Sequence, residues 1–160
     1  MTAVAFMTAK GQKQGNIAGN VTEKGREGTI ALFAVSYEIE TPYDPQSGHA
    51  SGKRQHKPVT VAKAIDQASP KLLQALVTNE TLTTVKIEFW RPAPETAGPY
   101  FVIALTNALI VDGALTSSAD KEPPAFEKLE YEEFEMTYQK IEVTWVQGGV
   151  MASDNWSAPV

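Results

Sequence analysis

The chain has no cysteine and only two histidines among its 160 residues. Thiol catalysis, thiolate zinc sites and disulfide frameworks are therefore excluded, and little remains from which to build a metal centre. A surplus of positive charge is also missing: the formal net charge is −5 and the pI about 5.1. Nucleic acid and anionic membrane both select proteins whose Lys and Arg displace counterions, so no general affinity for either is expected. No segment approaches the ~20 apolar residues that a bilayer-spanning helix needs. The apolar start, Met1 to Ala9, lacks a positive lead-in and meets Lys10 and Gly11 at once, so it reads as a strand and not as a secretory signal. The expected compartment is the cytoplasm.

What is present suits one ordinary domain over residues 1–160. With 42% hydrophobic residues, a chain of this length can bury roughly 70% of the surface it exposes when unfolded, so neither disulfides nor a structural metal is required. The acidity is uneven. Residues 120–142 hold eight acidic and three basic groups, which describes either a solvated strand face or a surface that selects a basic partner.

Periodicity predicts a mainly β fold. From Thr84 to Phe89, Val85, Ile87 and Phe89 alternate with Lys86 and Glu88, the period-2 pattern of a sheet with one wet face. Thr29 to Ile39 is rich in β-branched and aromatic residues, and Val59 to Ile65 repeats apolar positions at every second residue. Between Pro99 and Val111 apolar residues occupy both phases, which predicts a strand covered on both sides, by the core and by a helix or neighbouring subunit. Phe126 to Val146 changes phase twice, predicting a bend or bulge near Glu132-Glu133 and a tight turn or second bulge near Gln139-Lys140. Such bends let a sheet curl toward a barrel. One segment is helical: Ser69 as N-cap, Pro70 at the first position, Leu72, Leu73 and Leu76 as an apolar stripe, and Asn79 as the stop.

Two stretches lack periodicity. Gly11 to Gly28 predicts turns around a short strand near Asn16 to Val21. Thr41 to Pro58 is longer than the ~12 to 15 residues at which unstructured connections become uncommon, and such loops are functional or disordered. Tyr43, His49, Arg54 and His56 are contact-forming residues, which favours function.

Catalytic chemistry is thin. Gly48 to Lys53 has one residue too few for a phosphate loop, and Arg54 stands where the magnesium-binding Ser or Thr belongs. His49 and His56 have no nearby carboxylate pair with which to share a metal. Glu130, Glu132, Glu133 and Glu135 lie along one strand, without the contrasting environments that acid and base work requires. The Asn-x-Ser/Thr matches at Asn20, Asn79 and Asn155 need a secretory route. The residues thus predict a non-enzyme without cofactor or metal. A monomeric ligand-binding β-barrel and an unfamiliar small enzyme stay open on this reading.

Order along the chain adds a resemblance. Gly52-Lys53-Arg54-Gln55-His56-Lys57-Pro58, the strand ending in Lys63, and Asp66-Gln67-Ala68-Ser69-Pro70 leading into a helix resemble the central signature of the haemolysin-coregulated protein family, the tube protein of bacterial type VI secretion. Arg26-Glu27-Gly28, Tyr138-Gln139-Lys140-Ile141 with Trp145, and Ser153-Asp154-Asn155-Trp156 fall in the family's order, so the likeness covers nearly the whole chain. It implies a compact two-sheet β-barrel with one flanking helix, ring-forming, whose homohexamers stack into the inner tube of a contractile injection machine. It further implies partners among sheath, spike and baseplate proteins, small effectors carried in the lumen, and release through the apparatus from the cytoplasm to the outside. A phage-type tail-tube protein shares these features. The assembly interface is expected at Tyr43, Asp44, Arg54, His56 and Lys57 in the loop, at Val102 and Ile110 on the doubly apolar strand, and at Glu133. The loop should join one ring to the next, Arg54 and Lys57 meeting the acidic region Glu127 to Glu135 of a neighbour.

Overall fold

The computed structural model describes residues 3–92, 98–119 and 128–157. Along these residues run β1 (Ala5–Gly11), β2 (Gly15–Ile17), β3 (Ile30–Ser36), β4 (Ile39–Glu40), β5 (Gln55–His56), β6 (Val59–Lys63), α1 (Ser69–Val77), β7 (Leu82–Trp90), β8 (Pro99–Ala119), β9 (Lys128–Thr137), β10 (Lys140–Trp145) and β11 (Val150–Asn155). Strands β8, β7, β1, β3, β6 and β9 join edge to edge in that order, and β9 pairs back onto β8, which closes the barrel. β10 and β11 extend the wall beyond β8, β2 pairs with β1, and β4 and β5 form a separate ribbon. The mainly β barrel with one flanking helix is the expected fold. Alternation supplies its core: Ala5, Met7 and Ala9 of β1, Ile30 and Leu32 of β3, Val59 and Val61 of β6, and Val85 and Ile87 of β7 all point inward and are buried. Each large apolar side chain among them contributes on the order of 1.5–3 kcal/mol on burial.

The doubly apolar strand has a different explanation from the one its sequence suggests. In β8 the buried residues are Ile103 and Leu105, then Ala108 and Ile110, so the inward phase switches once. Thr106 and Asn107 at the switch are both exposed, and Asn107 has φ +50°. Asn is one of the few side chains that enters this region readily. The partner strand switches at the same level, between buried Tyr138 and buried Ile141, and the Asn107 Nδ2 donates to the Gln139 Oε1 at 2.7 Å across the break. Two strands that half-turn together keep one continuous buried face. The expected turn near Gln139-Lys140 is therefore present, but covering on both faces is not. Val102 lies on the outer face, half-buried between Glu88 of β7 and Thr144 of β10.

The bend expected near Glu132-Glu133 is absent as well. β9 stays in unbroken register with β6 from Glu132 to Met136, and the local slip lies on β8 instead, between Ile110 and Asp112. The phase of β9 misleads because its inward residue at this level is a glutamate. Glu132 is 6% exposed and sits directly opposite Lys63, which is 0% exposed. Phe126 and Glu127 lie outside the described residues.

Helix α1 buries Leu72 and Ala75 against the core and packs across β8. Its cap position is Ala68 without a side-chain cap bond. Ser69 does not serve as N-cap, because its hydroxyl is committed to Glu132, Lys63 and the Asp66 amide. Asn79 ends the helix as expected, at φ +53°. Gly113 lets α1 and β9 close over β8: a Cβ there would lie 2.9 Å from the Phe134 ring and 3.1 Å from the Leu76 side chain. Gly113→Val should lower the unfolding free energy by about 1–3 kcal/mol, the usual cost of overpacking. A urea midpoint equal to that of the parent protein would show that the helix has room to spare.

Candidate assembly surfaces and the clusters that position them

The long loop is an ordered arm. β4 and β5 pair Ile39 with His56 and Glu40 with Gln55, Tyr43 bridges to Ala50, and the Ser51 amide donates to the Pro42 carbonyl at 2.9 Å. The tip is a built turn: the Asp44 carboxylate accepts from the Gln46 amide and the Ser47 hydroxyl, and the Gly48 amide donates to the Asp44 carbonyl. Tyr43 is 65% exposed on this arm. Much of the conformational entropy a disordered loop would lose on docking, of order 1 kcal/mol per residue, is therefore already lost on folding.

The cations assigned to a neighbour are engaged within the chain. Arg54 grips Asp154 with two nitrogens, Nε to Oδ2 and Nη2 to Oδ1, the latter at 2.6 Å. Lys57 lies 3.2 Å from Glu38 and 3.5 Å from Glu40. Both side chains are held protonated above their ordinary range by these carboxylates. His56 is not a surface residue: its ring is buried, with Nε2 2.7 Å from Asp154 Oδ2 and Nδ1 2.7 Å from the Tyr138 hydroxyl, and Trp156 stacks on it at 5.5 Å. The neutral tautomer that satisfies both contacts carries its proton on Nε2, with Tyr138 donating to Nδ1. Hydrogen bonds from Arg54, and then from His56, hold the Asp154 carboxyl well below the usual carboxylate range. Burial pushes the Tyr138 phenol up to about 12.

The remaining expected contacts divide by face. Ile110 is 1% exposed inside the barrel, so it offers nothing to a partner. Glu133 is exposed on β9. Val102 is accessible only in part. Apolar surface that sequence reasoning did not assign lies elsewhere: Val150 and Met151 on β11, 66% and 59% exposed, and Leu115 of β8 and Leu73 of α1, 57% and 56% exposed, beside a groove of about 340 Å3. Strand edges without a partner among the described residues include the outer edge of β11 and the β7-side edge of β8 beyond Ala108. No residue pattern pointed to β11, because Val150 to Asn155 shows no clear alternation.

A second polar cluster lies between β6, β9 and α1. The Lys63 Nζ is 2.7 Å from Glu132, 2.9 Å from Asp66, 3.0 Å from the Ser69 hydroxyl and 2.8 Å from the Ala64 carbonyl. The signature residues thus have structural work: Arg54 and His56 meet the tail residues Asp154 and Trp156, while Lys63, Asp66 and Ser69 meet Glu132. Neither cluster combines a nucleophile, a base and open access, and no group of His, Asp and Glu among the described residues has metal-binding geometry.

The sequence profile described as "Type VI secretion system effector, Hcp" matches residues 6–145. The chain belongs to the Hcp family. Its similarity to the "Major exported protein" of Pseudomonas aeruginosa is 36% identity over 170 residues, covering 100% of this chain and 99% of that one. Among solved structures, an Hcp protein superposes with TM-score 0.87 at 28% identity, covering 99% of this chain and 100% of the other. Hcp3, a secreted protein of Pseudomonas aeruginosa, superposes with TM-score 0.73 at 31% identity, covering 95% and 99%. Hcp proteins are structural tube proteins of type VI secretion and not an enzyme family, which accords with clusters that fasten strands together.

Proposed function

We propose that this Hcp chain forms homohexameric rings that stack into the secretion tube, carry small effectors in the lumen, and pass from the cytoplasm to the outside when the apparatus fires. The observation that carries this reading is the ordered arm, residues 41–54: its backbone joins no strand of the barrel sheet, it exposes Tyr43 at its side, and it is too well formed to be a mere connection. The unpartnered edges of β11 and β8 support lateral assembly, since exposed edges invite pairing. Sheath, spike and baseplate proteins are the partners this role requires. With Arg54 and Lys57 already neutralised, docking of one ring on the next should rest more on Tyr43 than on attraction to Glu133 of a neighbour.

The test is to replace residues 42–52 by a Gly-Ser bridge, which leaves Lys53 to Lys57 in place. Circular dichroism and the number of subunits per ring by native mass spectrometry should be unchanged while tubes no longer form and secretion stops. Monomer alone in the unmodified protein at about ten micromolar and above, a scale suited to a standard-size interface, would end the ring reading. Tubes that still assemble with the bridge would remove the arm from stacking.

A further inference from the structure

The arm is fastened to the body of the protein by the tail. β4 and β5 pair only with each other, and the other backbone bonds of the arm, Asp44 to His49 and Ser51 to Pro42, close within it. Such a ribbon has a shape of its own but no fixed angle to the barrel. Side-chain contacts supply that angle: the His56 Nδ1 meets the Tyr138 hydroxyl at 2.7 Å just past β9, and four more join the outgoing leg to the segment that follows β10. Arg54 holds Asp154 through two nitrogens, His56 holds the same carboxylate at 2.7 Å, Trp156 stacks on the His56 ring, and the Lys53 Nζ donates to the Ser157 carbonyl at 3.1 Å. The tail itself is tied to the wall, through six β10–β11 residue pairs and the Trp156 amide donating to the Gln139 carbonyl at 2.8 Å.

We propose that Asp154 and Trp156 form a latch by which the C-terminal segment sets the posture of the ring-docking arm, so that loading or occupying β11 controls whether the arm stands ready for the next ring. The geometry suits that role. Asp154 is opposite Ile141 in the β10–β11 ladder, so its carboxylate is placed by backbone pairing and not by a flexible loop. Two charge-assisted donors in a fixed fork make a directional hold. Meanwhile Val150 and Met151, on the open edge of the same strand, stay available to a neighbour. The importance of posture rests on the reading that the arm docks rings; the latch itself does not.

Hydrogen exchange separates the two. In full-length Asp154→Ala, amide exchange at Asp44, Gly48 and Ser51, which donate to backbone carbonyls within the arm, should accelerate by about tenfold or more, as for a segment whose opening becomes local, while β1, β3 and β7 exchange as in the parent. Trp156→Ala should produce the same pattern more weakly, and Asp154→Glu should restore part of the protection. Negative-stain images of the same samples should show rings of parent diameter and shorter tubes. Unchanged arm exchange in both alanine variants overturns the latch. So does acceleration spread evenly over the barrel, which would make Asp154 a general stability residue. A released arm with tubes of parent length leaves the latch standing and counts against docking through the arm.

Discussion

Lys63→Met should lower the unfolding free energy by about 3–5 kcal/mol, because it leaves buried carboxylates without their cation. Lys63 is fully enclosed, and Glu132 and Asp66 both approach its ammonium within 3 Å, at 2.7 and 2.9 Å. The group sits where β6 meets β9, next to the β8–β9 pairing that closes the barrel, and Ser69 ties the start of α1 to it. Removing all three charges is a different experiment. Lys63→Met combined with Glu132→Leu and Asp66→Asn should recover most of the loss, since buried ion clusters replaced by uncharged side chains of similar volume are often neutral, and the side-chain amide at position 66 keeps an acceptor for the Ala68 N–H. Urea unfolding at one fixed protein concentration checks both, the concentration being held because self-association shifts apparent stability. A single variant within about 1 kcal/mol of the parent, the scale of an exposed ion pair, would show that water reaches this cluster.

These residues also show where sequence reasoning stops. Periodicity locates β6, β7 and the helix because their apolar residues alternate, or repeat at helical spacing, against one core, whereas β1 is read from its apolar run and β3 from its β-branched and aromatic content. It fails where the inward residue is charged: Glu132 occupies a core position, so its neighbours read as a bend. It fails again at Asn107, where one positive φ turns the strand over and makes a one-faced strand look two-faced. Both clusters depend on pairs far apart in the chain, Lys63 with Glu132 and Arg54 with Asp154, and spacing carries no information on such contacts. The signature around Arg54, His56, Asp66 and Ser69 could be noticed without its partners. Its physical content, two polar fastenings for the arm and the seam, appears only once the chain is folded. The arm itself is legible as a long loop of contact-forming residues. Its order is not, because the β4–β5 ribbon is two residues wide on each side and its turn is held by the Asp44 side chain.

Aspartate placed at the two apolar positions of β8 should give opposite outcomes. Ile110 is enclosed in the barrel beside Met136, so Ile110→Asp places an unpaired charge where desolvation costs several kcal/mol and should abolish the folded barrel. Val102 faces outward, flanked by Glu88 and Thr144, so Val102→Asp adds a like-charge cross-strand pair worth about 0.2–1 kcal/mol and should leave circular dichroism nearly unchanged. Only the second variant can therefore report on assembly. If the outer face of β8 and β10 contacts a neighbour, Val102→Asp shifts native mass from ring toward folded monomer. Rings of unchanged mass would place that face against solvent or the lumen and move the lateral interface to the open edges of β11 and β8. Unfolding of Val102→Asp to the same extent as Ile110→Asp would contradict the half-turn at Asn107, because it would mean that both phases of the strand are core.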